Sequence, residues 1–280
     1  MAVINTNIMS LNAQRNLSAT QSALATSVQR LSTGLRVNSA KDDAAGLAIA
    51  ERMNTQVRGM NVAIRNANDA ISLSQTAEGS LSKINDMGQR MRELAVQSAN
   101  ATNSDSDRKN LDAEYQALAQ EIKRNLAGAA FNGTKLFATA AALTFQVGAN
   151  AATTDQITIN TQNLTGDNSI VEVIGAAGAD AASIGTAAGA SAALGKLDTM
   201  LATVNSKRAE FGAIQNRFEA VIQTLQVSAE NQTAARSRIM DADFASETAA
   251  LTRAQVLQQA GTSMLSQANS LPNNVLSLLR

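Results

Sequence analysis

The residue types that most often perform catalysis are scarce in this sequence. Its 280 residues include no cysteine and no histidine, which excludes disulfides, thiol nucleophiles, Cys/His zinc sites and histidine general bases. The closest approach to a metal-binding group is formed by Asp241, Asp243 and Glu247. These acids fall near a predicted helix start, where carboxylates interact favourably with the positive end of the helix dipole. The sequence therefore predicts a protein that is not an enzyme and that uses no metal or cofactor.

A long apolar stripe lies near the carboxyl terminus. Apolar residues recur at three- and four-residue spacing through residues 254–278, and no charged residue lies between Arg253 and Arg280. This spacing is typical of a helix that packs against other helices. Because such a helix is poorly soluble on its own, we predict that it needs a partner.

A second charge-poor stripe at the amino terminus, residues 4–35, is the natural partner. Residues 1–40 contain three arginines and no acid. We predict that the two ends pair and that copies of this module associate, because each buried Leu-sized side chain contributes about 1.5–3 kcal/mol. The predicted self-assembly seam consists of Ile4, Ile8, Leu11, Leu17, Leu24, Val28, Leu31, Leu257, Met264, Leu271, Val275 and Leu278. The chain is therefore predicted to form a homopolymer.

Longer helices with charged outer faces are predicted between the two ends. Heptads over residues 53–95 and 197–232 predict two long helices, and residues 111–126 predict a shorter one that is capped by Ser104 or Asp105. Aromatic residues make up only 2% of the chain, so there is little bulky material for a wide core. Small side chains instead favour helices that pack closely side by side.

The middle of the chain changes character. Residues 143–147, 156–161 and 169–174 alternate as strands do. Residues 175–191 are almost wholly Ala, Gly, Ser and Thr, which predicts a flexible exposed loop. The predicted fold class is mainly α, with long antiparallel helices, a coiled coil formed by both chain ends, and a small β-hairpin region in the middle.

These patterns predict that the chain is divided into three parts. Residues 1–40 with 238–280 are predicted to form the terminal coiled-coil module. Residues 41–137 with 194–237 are predicted to form a helical bundle. Residues 138–193 are predicted to form a short β-hairpin and an Ala/Gly-rich tip.

Several partner classes are excluded by charge and hydropathy. Lys plus Arg and Asp plus Glu both number 23, so net charge predicts no nucleic acid partner. No apolar run approaches the roughly 20 residues of a spanning helix, so no membrane insertion is predicted. The first ten residues lack a basic region followed by a long apolar region, which predicts no cleavable signal peptide.

Three motifs carry a family resemblance: NANDAISLSQTAEG at residues 66–79, FNGTKLF at 131–137 and NVLSLLR at 274–280. Together with LSTGLRVNSAKDDAAGLAIAERM at residues 31–53, they closely resemble bacterial flagellin. The resemblance covers about the first 137 and the last 85 residues. It implies a short flagellin with a reduced variable region, and a structural subunit that self-polymerises into the flagellar filament, the helical propeller of swimming bacteria.

The resemblance also implies a location and a set of partners. The paired ends would form the inner core of an extracellular filament, and the middle helices would form the next shell. The subunit would be secreted through the flagellar type III apparatus without a cleavable signal peptide. Its implied partners are copies of itself, a flagellar export chaperone, the filament cap, the hook-filament junction proteins and host flagellin receptors.

Two segments resemble sites that host immune receptors recognise. Gln89, Arg90, Leu94 and Glu114 match positions recognised by the vertebrate Toll-like receptor for flagellin, although they are equally consistent with an ordinary polar helix face. Residues 29–50 resemble the peptide that plant receptors perceive, although a connector with a helix cap explains them as well. The residues singled out in that peptide are Gln29, Arg30, Lys41, Asp42, Asp43 and Gly46.

The main alternative is a hook-filament junction protein, which resembles flagellin at both ends. The unbroken motifs at residues 66–79 and 274–280 favour the filament subunit. Some flagellins carry an inserted zinc hydrolase, but a chain without histidine cannot provide its zinc-binding motif.

Overall fold

The protein is mainly α, as its periodicity predicts. A computed structural model describes residues 6–176 and 179–277, with side chains up to Ser270. The helices are α1 (Ile8–Thr33), α2 (Ala44–Ala99), α3 (Asp105–Gly128), α4 (Asn168–Ile174), α5 (Ala187–Met240) and α6 (Phe244–Ser277). The strands are β1 (Ala130–Phe131), β2 (Thr134–Lys135), β3 (Ala141–Gln146) and β4 (Gln156–Thr161). They form two antiparallel hairpins, β1–β2 and β3–β4.

The chain forms two compact units. The first is drawn from Met1–Thr55 and Glu230–Arg280, and the second is Gln56–Ala229. The first unit extends further into α2 and α5 than the predicted terminal module of residues 1–40 and 238–280, because both long helices run through the division.

In the first unit, α1 ends before Gly34, a glycine that adopts the left-handed backbone conformation. Gly34 has φ 72°, and its N–H donates to the carbonyl of Arg30 at 2.8 Å. The chain then runs beside the end of α5, where Arg36 N–H donates to Met240 at 2.6 Å. Ala242 N–H donates back to Gly34 at 2.9 Å. The start of α6 is thus tied to the end of α1 through backbone bonds.

The predicted cap of the third helix is confirmed at Ser104. Its hydroxyl accepts from Asp107 N–H at 3.2 Å, and the Asp107 carboxylate accepts from Ser104 N–H at 3.1 Å. This capping box satisfies two otherwise unpaired donors of the first turn. Buried Arg108 then donates to the Ser98 carbonyl and, at 2.9 Å, to Asn100. The guanidinium therefore satisfies carbonyls that the end of α2 leaves without helical partners.

The core of the second unit is built from one buried face on each of three long helices. Small residues on α2 let these helices approach closely. A Cβ added to Gly88 would lie 2.8 Å from the Met200 Cε atom and 2.9 Å from Leu201 Cδ2, so any larger residue there would require both side chains to shift. The largest fully buried side chains include Leu81, Ile84, Met91, Leu94, Tyr115, Ile122, Leu126, Phe137 and Phe218.

The predicted β-hairpin forms and packs on this core. In β3–β4, Leu143 pairs with Ile159 and Gln146 pairs with Gln156. The Phe145 ring meets the Phe218 ring edge to face, with centroids 5.9 Å apart. Two-residue turns of this kind favour Asn-Gly, and β1–β2 turns at Asn132 and Gly133 with φ 46° and 81°.

The strand predicted at residues 169–174 is wrong, because the segment is helix α4. The Asp167 carboxylate caps its first turn by accepting from Ser169 N–H at 3.0 Å. Ile170, Val173 and Ile174 are buried at helical spacing. A short apolar run does not distinguish strand from helix by periodicity alone.

The flexible loop predicted at residues 175–191 is also wrong in the part the structure describes. Helix α5 already begins at Ala187, and Ile184 is 0% exposed. The preceding segment, residues 179–184, is held by side chains of α3. Asp112 accepts from Ile184 N–H at 2.7 Å, and Gln116 accepts from Ala181 N–H at 3.1 Å. We call residues 179–184 the strap.

Tyr115 supplies a test of the packing in the second unit. It is the chain's one tyrosine, its ring is buried, and its hydroxyl has no hydrogen-bond partner among the described residues. Burial, and next the charge of Asp112, raise the pKa of the Tyr115 phenol above its usual range. We therefore expect spectrophotometric titration to detect no tyrosinate in the native protein at about pH 10, where an exposed tyrosine is half ionised.

The same shift sets the direction of the pH dependence of stability. The folded state holds the phenolic proton more tightly than the unfolded state. The contribution of Tyr115 to the free energy of unfolding is therefore complete below about pH 10 and is lost as pH rises through the raised pKa. The urea-unfolded protein serves as the control and should titrate at the usual value. Native titration at about pH 10 would contradict the burial of this ring.

Candidate assembly surface

The two terminal helices, α1 and α6, pair in antiparallel orientation. The Asn7 side-chain amide donates to the Ala268 carbonyl at 2.7 Å, near the start of α1. Near its end, the Arg30 guanidinium lies 3.7 Å from the Glu247 carboxylate. The numbers of paired residues thus fall along α6 as they rise along α1. The predicted pairing of the two chain ends is confirmed for the described residues.

The faces that the two helices turn toward each other are made mostly of small and polar residues. On α1 the less exposed positions are Ser10, Ala13, Leu17, Thr20, Leu24, Ser27 and Leu31. On α6 they are Leu251, Ala254, Gln258, Gly261, Leu265 and Ala268. Both sets repeat every seven residues, as in a coiled coil. We call these two sets the inner seam.

Close approach across the inner seam explains why a glycine lies in it. A Cβ added to Gly261 would lie 3.3 Å from the Leu17 Cδ1 atom, which is tighter than ordinary van der Waals contact. Polar members such as Ser27, which is buried, and Gln258 contribute little apolar area. Since stabilisation scales with apolar area removed from water, the inner seam alone holds this helix pair weakly.

Seven other large apolar side chains of the same helices point away from the inner seam. They are Ile8, Met9, Leu11 and Val28 on α1 and Val256, Leu257 and Met264 on α6, and each is between 51% and 66% exposed. We call this set the outer apolar face. Phe244, in the first turn of α6, is also exposed but precedes the inner seam. Exposed apolar surface of this extent marks an interaction site rather than ordinary surface.

The predicted seam therefore divides between two faces. Leu17, Leu24 and Leu31 belong to the inner seam, whereas Ile8, Leu11, Val28, Leu257 and Met264 belong to the outer apolar face. Ile4 and Leu278 lie outside the described residues, and the side chains of Leu271 and Val275 lie outside those described. The sequence did not separate the two faces, because Leu257 and Met264 share the seven-residue spacing of the inner contacts.

Sequence reasoning missed several members of both faces. Leu251 and Leu265 on the inner seam and Met9 and Val256 on the outer apolar face were not singled out. For Leu251 and Leu265, the available signal was a second stripe with seven-residue spacing, shifted by one position from the predicted stripe. Two parallel stripes on one helix indicate that it has partners on more than one side.

The residues that resemble a receptor site are not all on the surface. Gln89, Arg90 and Glu114 are exposed, whereas Leu94 is 1% exposed and belongs to the core. Leu94 falls on the buried face of α2, where its neighbours in the chain, Met91 and Ala95, are also buried. As a surface contact, the Leu94 prediction is wrong.

Arg90 lies at the centre of a small charge network. Its Nε donates to the Glu114 carboxylate at 3.0 Å, and its Nη1 donates to Glu93 at 3.0 Å. The hydrogen bond to Glu114, followed by the one to Glu93, raises the pKa of Arg90. The neighbouring cation Arg92 pairs instead with Asp198 of α5 at 2.7 Å. Two similar exposed arginines on α2 therefore have different partners.

The residues that resemble the plant-receptor peptide form a tightly bonded connector. The Asp42 carboxylate accepts from the N–H and hydroxyl of Ser39, both at 2.9 Å. The hydroxyl bond is the largest cause that lowers the pKa of Asp42. Asp43 caps α2 by accepting from Gly46 N–H at 2.8 Å. Gly46 is buried, whereas Gln29 and Lys41 are exposed.

The acids near the start of α6 have structural partners of their own. Asp241 accepts from the Ser237 hydroxyl at 2.6 Å, and Asp243 accepts a backbone N–H of the first turn of α6 at 2.9 Å. Glu247 lies beside Arg30. Across residues 6–176 and 179–277, no three acidic side chains are placed to hold a metal ion. Within those same residues, no helix is long and apolar enough to span a bilayer.

Comparison with known families assigns both ends of the chain. Residues 4–142 match the bacterial flagellin N-terminal helical region, and residues 194–279 match the bacterial flagellin C-terminal helical region. The chain belongs to the bacterial flagellin family. The two matched regions contain α1 to α3 and nearly all of α5 and α6, which include the inner seam and the outer apolar face.

Relatives cover the chain almost from end to end. A flagellin of Halalkalibacterium halodurans is 41% identical over 99% of this chain and 100% of its own. A Bacillus subtilis flagellin is 41% identical over 99% of each chain. The flagellar filament 33 kDa core protein of Treponema phagedenis is 39% identical over 99% of this chain and 100% of its own. Flagellins of about this length therefore exist without large inserted domains.

Solved structures show the same fold. A crystal structure of Bacillus cereus flagellin superposes with a TM-score of 0.51 at 31% identity, covering 61% of this chain and 94% of that one. A putative flagellar hook-associated protein from Vibrio parahaemolyticus superposes with a TM-score of 0.60 over 71% of this chain, but at 16% identity. The second likeness shows the fold alone. Full-length relatives at about 40% identity favour the filament subunit over the junction protein.

Proposed function

We propose that this chain is the structural subunit that polymerises into the bacterial flagellar filament. The observation that carries the proposal is the outer apolar face, which the chain's own inner seam leaves uncovered. A second copy of the chain is the natural cover, because the same face is present on every subunit and carries almost no charge. In a filament each subunit would bury this face against its neighbours.

Different parts of the chain would have different places in the polymer. Residues 1–40 with 238–280, poor in charge and rich in exposed apolar side chains, would form the inner filament core. Residues 41–137 with 194–237, which have charged outer faces and share a buried core with residues of 138–193, would form the surrounding shell. Residues 138–193 would form a small surface tip.

Export and assembly partners follow from family membership. The subunit would be an extracellular structural protein and not an enzyme. It would leave the cell without a cleavable signal peptide, bound first by an export chaperone. It would then be added to the filament beneath the cap, beyond the hook-filament junction proteins. The absence of histidine and cysteine supports the non-enzymatic role.

Electron microscopy of the purified full chain tests the function directly. Monomer is mixed with short filament fragments as seeds, and polymer length is followed with time. We expect long filaments to grow from the seeds. Short rings that stop growing would support the junction-protein alternative, and persistence of monomer would overturn the proposal.

We also propose that Gln89, Arg90 and Glu114 form a surface that the vertebrate flagellin receptor recognises. Arg90→Ala removes the cation that joins Glu93 and Glu114, and we expect about tenfold weaker receptor signalling. Swimming should remain. Receptor-reporter cells measure the response, and Arg92→Ala is the matched control because Arg92 is also exposed but pairs with Asp198. Equal loss in both variants would contradict the specific role of Arg90.

Residues 29–50 are proposed as a plant-receptor epitope that is available only after the chain opens. Arg30 and Asp43 are engaged in folded contacts, and Gly46 is buried. A synthetic peptide of residues 29–50 should therefore elicit the plant response at concentrations where intact filament does not. An equal response to intact filament would argue against this requirement.

A further inference from the structure

The methionines of this chain fall into two groups by burial. Met60, Met91, Met200 and Met240 are buried, and Met53 and Met87 are partly buried. Met9 and Met264 are 66% and 64% exposed. Among the methionines that the structure describes, these two alone present their thioethers openly to solvent.

Both exposed methionines belong to the outer apolar face. Met9 lies on α1 next to Ile8, and Met264 lies on α6 seven residues after Leu257. The helix pair leaves about two thirds of each residue's surface exposed, since the inner seam runs along other faces of α1 and α6. In a free subunit a small oxidant can therefore reach both sulfur atoms, whereas the core methionines are shielded by packing.

We propose that Met9 and Met264 are oxidation sites that control assembly and that hydrogen peroxide is the oxidant. The inference rests on the proposed function, because the effect requires that the outer apolar face packs against neighbouring subunits. Oxidation of these two side chains blocks addition of the subunit to a polymer. Reduction of the sulfoxides restores it.

The chemistry is a balanced two-electron transfer. The thioether sulfur attacks one oxygen of the peroxide, an S–O bond forms, and the O–O bond breaks. The departing hydroxide takes up the proton released from the transferred oxygen and leaves as water. Sulfur is oxidised to the sulfoxide and peroxide is reduced.

The product is incompatible with a dry interface. A sulfoxide oxygen is a strong hydrogen-bond acceptor, and its burial between apolar side chains of neighbouring subunits costs free energy that the thioether does not. We expect the critical concentration for polymerisation to rise by about tenfold or more when both residues are oxidised. Polymer that has already formed should resist the same treatment, because its interfaces bury the two sulfur atoms.

The experiment uses the full chain as monomer. Purified subunits are treated with hydrogen peroxide, the oxidised positions are identified by peptide mass spectrometry, and seeded growth is followed by light scattering and electron microscopy. We expect Met9 and Met264 to be oxidised before the buried methionines, with loss of growth in parallel. Treatment with methionine sulfoxide reductases should restore growth.

Two variants separate this effect from general damage. The double variant Met9→Leu with Met264→Leu keeps an apolar side chain of similar size at both sites. Its seeded growth after peroxide treatment should equal its own growth before treatment, whatever that untreated level is. Met60→Leu, which changes a buried methionine, should remain as sensitive as the parent chain. Equal sensitivity of the double variant and the parent would overturn the proposal.

The outcomes also distinguish this inference from the proposed function. If untreated subunits polymerise and subunits oxidised at both positions polymerise equally well, the inference is overturned and the filament function stands. If untreated subunits fail to grow from seeds, the filament function and this inference are overturned together.

Discussion

The variant Leu257→Asp is expected to remain folded and to lose polymerisation. Leu257 is 53% exposed on α6, pointing away from the inner seam, so the acid costs little in the free subunit. In a polymer the carboxylate would be removed from water in a charge-poor interface, where Arg253, one turn earlier on α6, is the nearest cation of the same helix. Electron microscopy of seeded growth tests the loss of polymerisation, and circular dichroism tests whether the variant remains folded.

The expected size of the effect follows from two terms. The change removes about 1.5–3 kcal/mol of apolar burial, and desolvation of the new carboxylate costs several kcal/mol more, which Arg253 offsets only in part. Since each 1.4 kcal/mol changes an equilibrium about tenfold, the critical concentration should rise by at least about a hundredfold. No growth at attainable concentrations is the practical outcome.

A matched control places the same acid on an equally exposed apolar residue elsewhere. Val227 of α5 is 59% exposed and belongs to the second unit. We expect Val227→Asp to leave seeded growth nearly intact. Filaments of normal length from Leu257→Asp would refute the role of the outer apolar face, and equal loss in both variants would refute its location on the terminal helices.

The second large effect is expected on stability, from Phe218→Ala. Phe218 is fully buried on α5 and holds the Phe145 ring of the β3–β4 hairpin edge to face. Loss of a buried phenylalanine side chain costs about 3–5 kcal/mol through lost burial and the cavity that remains. That is a large part of the total stability of an ordinary domain, which is about 5–15 kcal/mol.

Urea unfolding followed by Tyr115 fluorescence reports on the second unit, because Tyr115 lies there and the chain has no tryptophan. The midpoint should fall clearly in Phe218→Ala. Phe244→Ala is the matched control, since Phe244 is a phenylalanine on α6 that is 57% exposed, and it should change stability by less than about 1 kcal/mol. Similar losses in both variants would contradict the described core.

The long helices could be predicted from the sequence because their periodicity extends over many turns. Ser104 was a recognisable cap for α3, since a side-chain acceptor followed by an acid three positions later is a local signal. Residues 169–174 could not be assigned in this way. Their apolar run is too short to separate a period of two from a period of 3.6.

The candidate assembly surface was predictable only in part. The paired chain ends followed from low charge and heptad spacing, but alanine and glycine give weak signals about which stripe faces inward. Leu257 and Met264 therefore looked like inner contacts and are outer ones. Leu94 is a different case, because its spacing from Met91 and Ala95 already placed it on the buried face of α2.

The strap was unpredictable for another reason, which lies in how it is held, and the same reason determines which of its residues can change. Apart from the side chains of Ile184 and Ala181, the strap is held through its backbone. Its partners there are side chains of α3, Ser98 of α2 and the Val173 carbonyl of α4. Most of its own side chains therefore have no part in securing it. Substitutions at its exposed positions are therefore expected to change the surface of the second unit while the fold beneath stays the same.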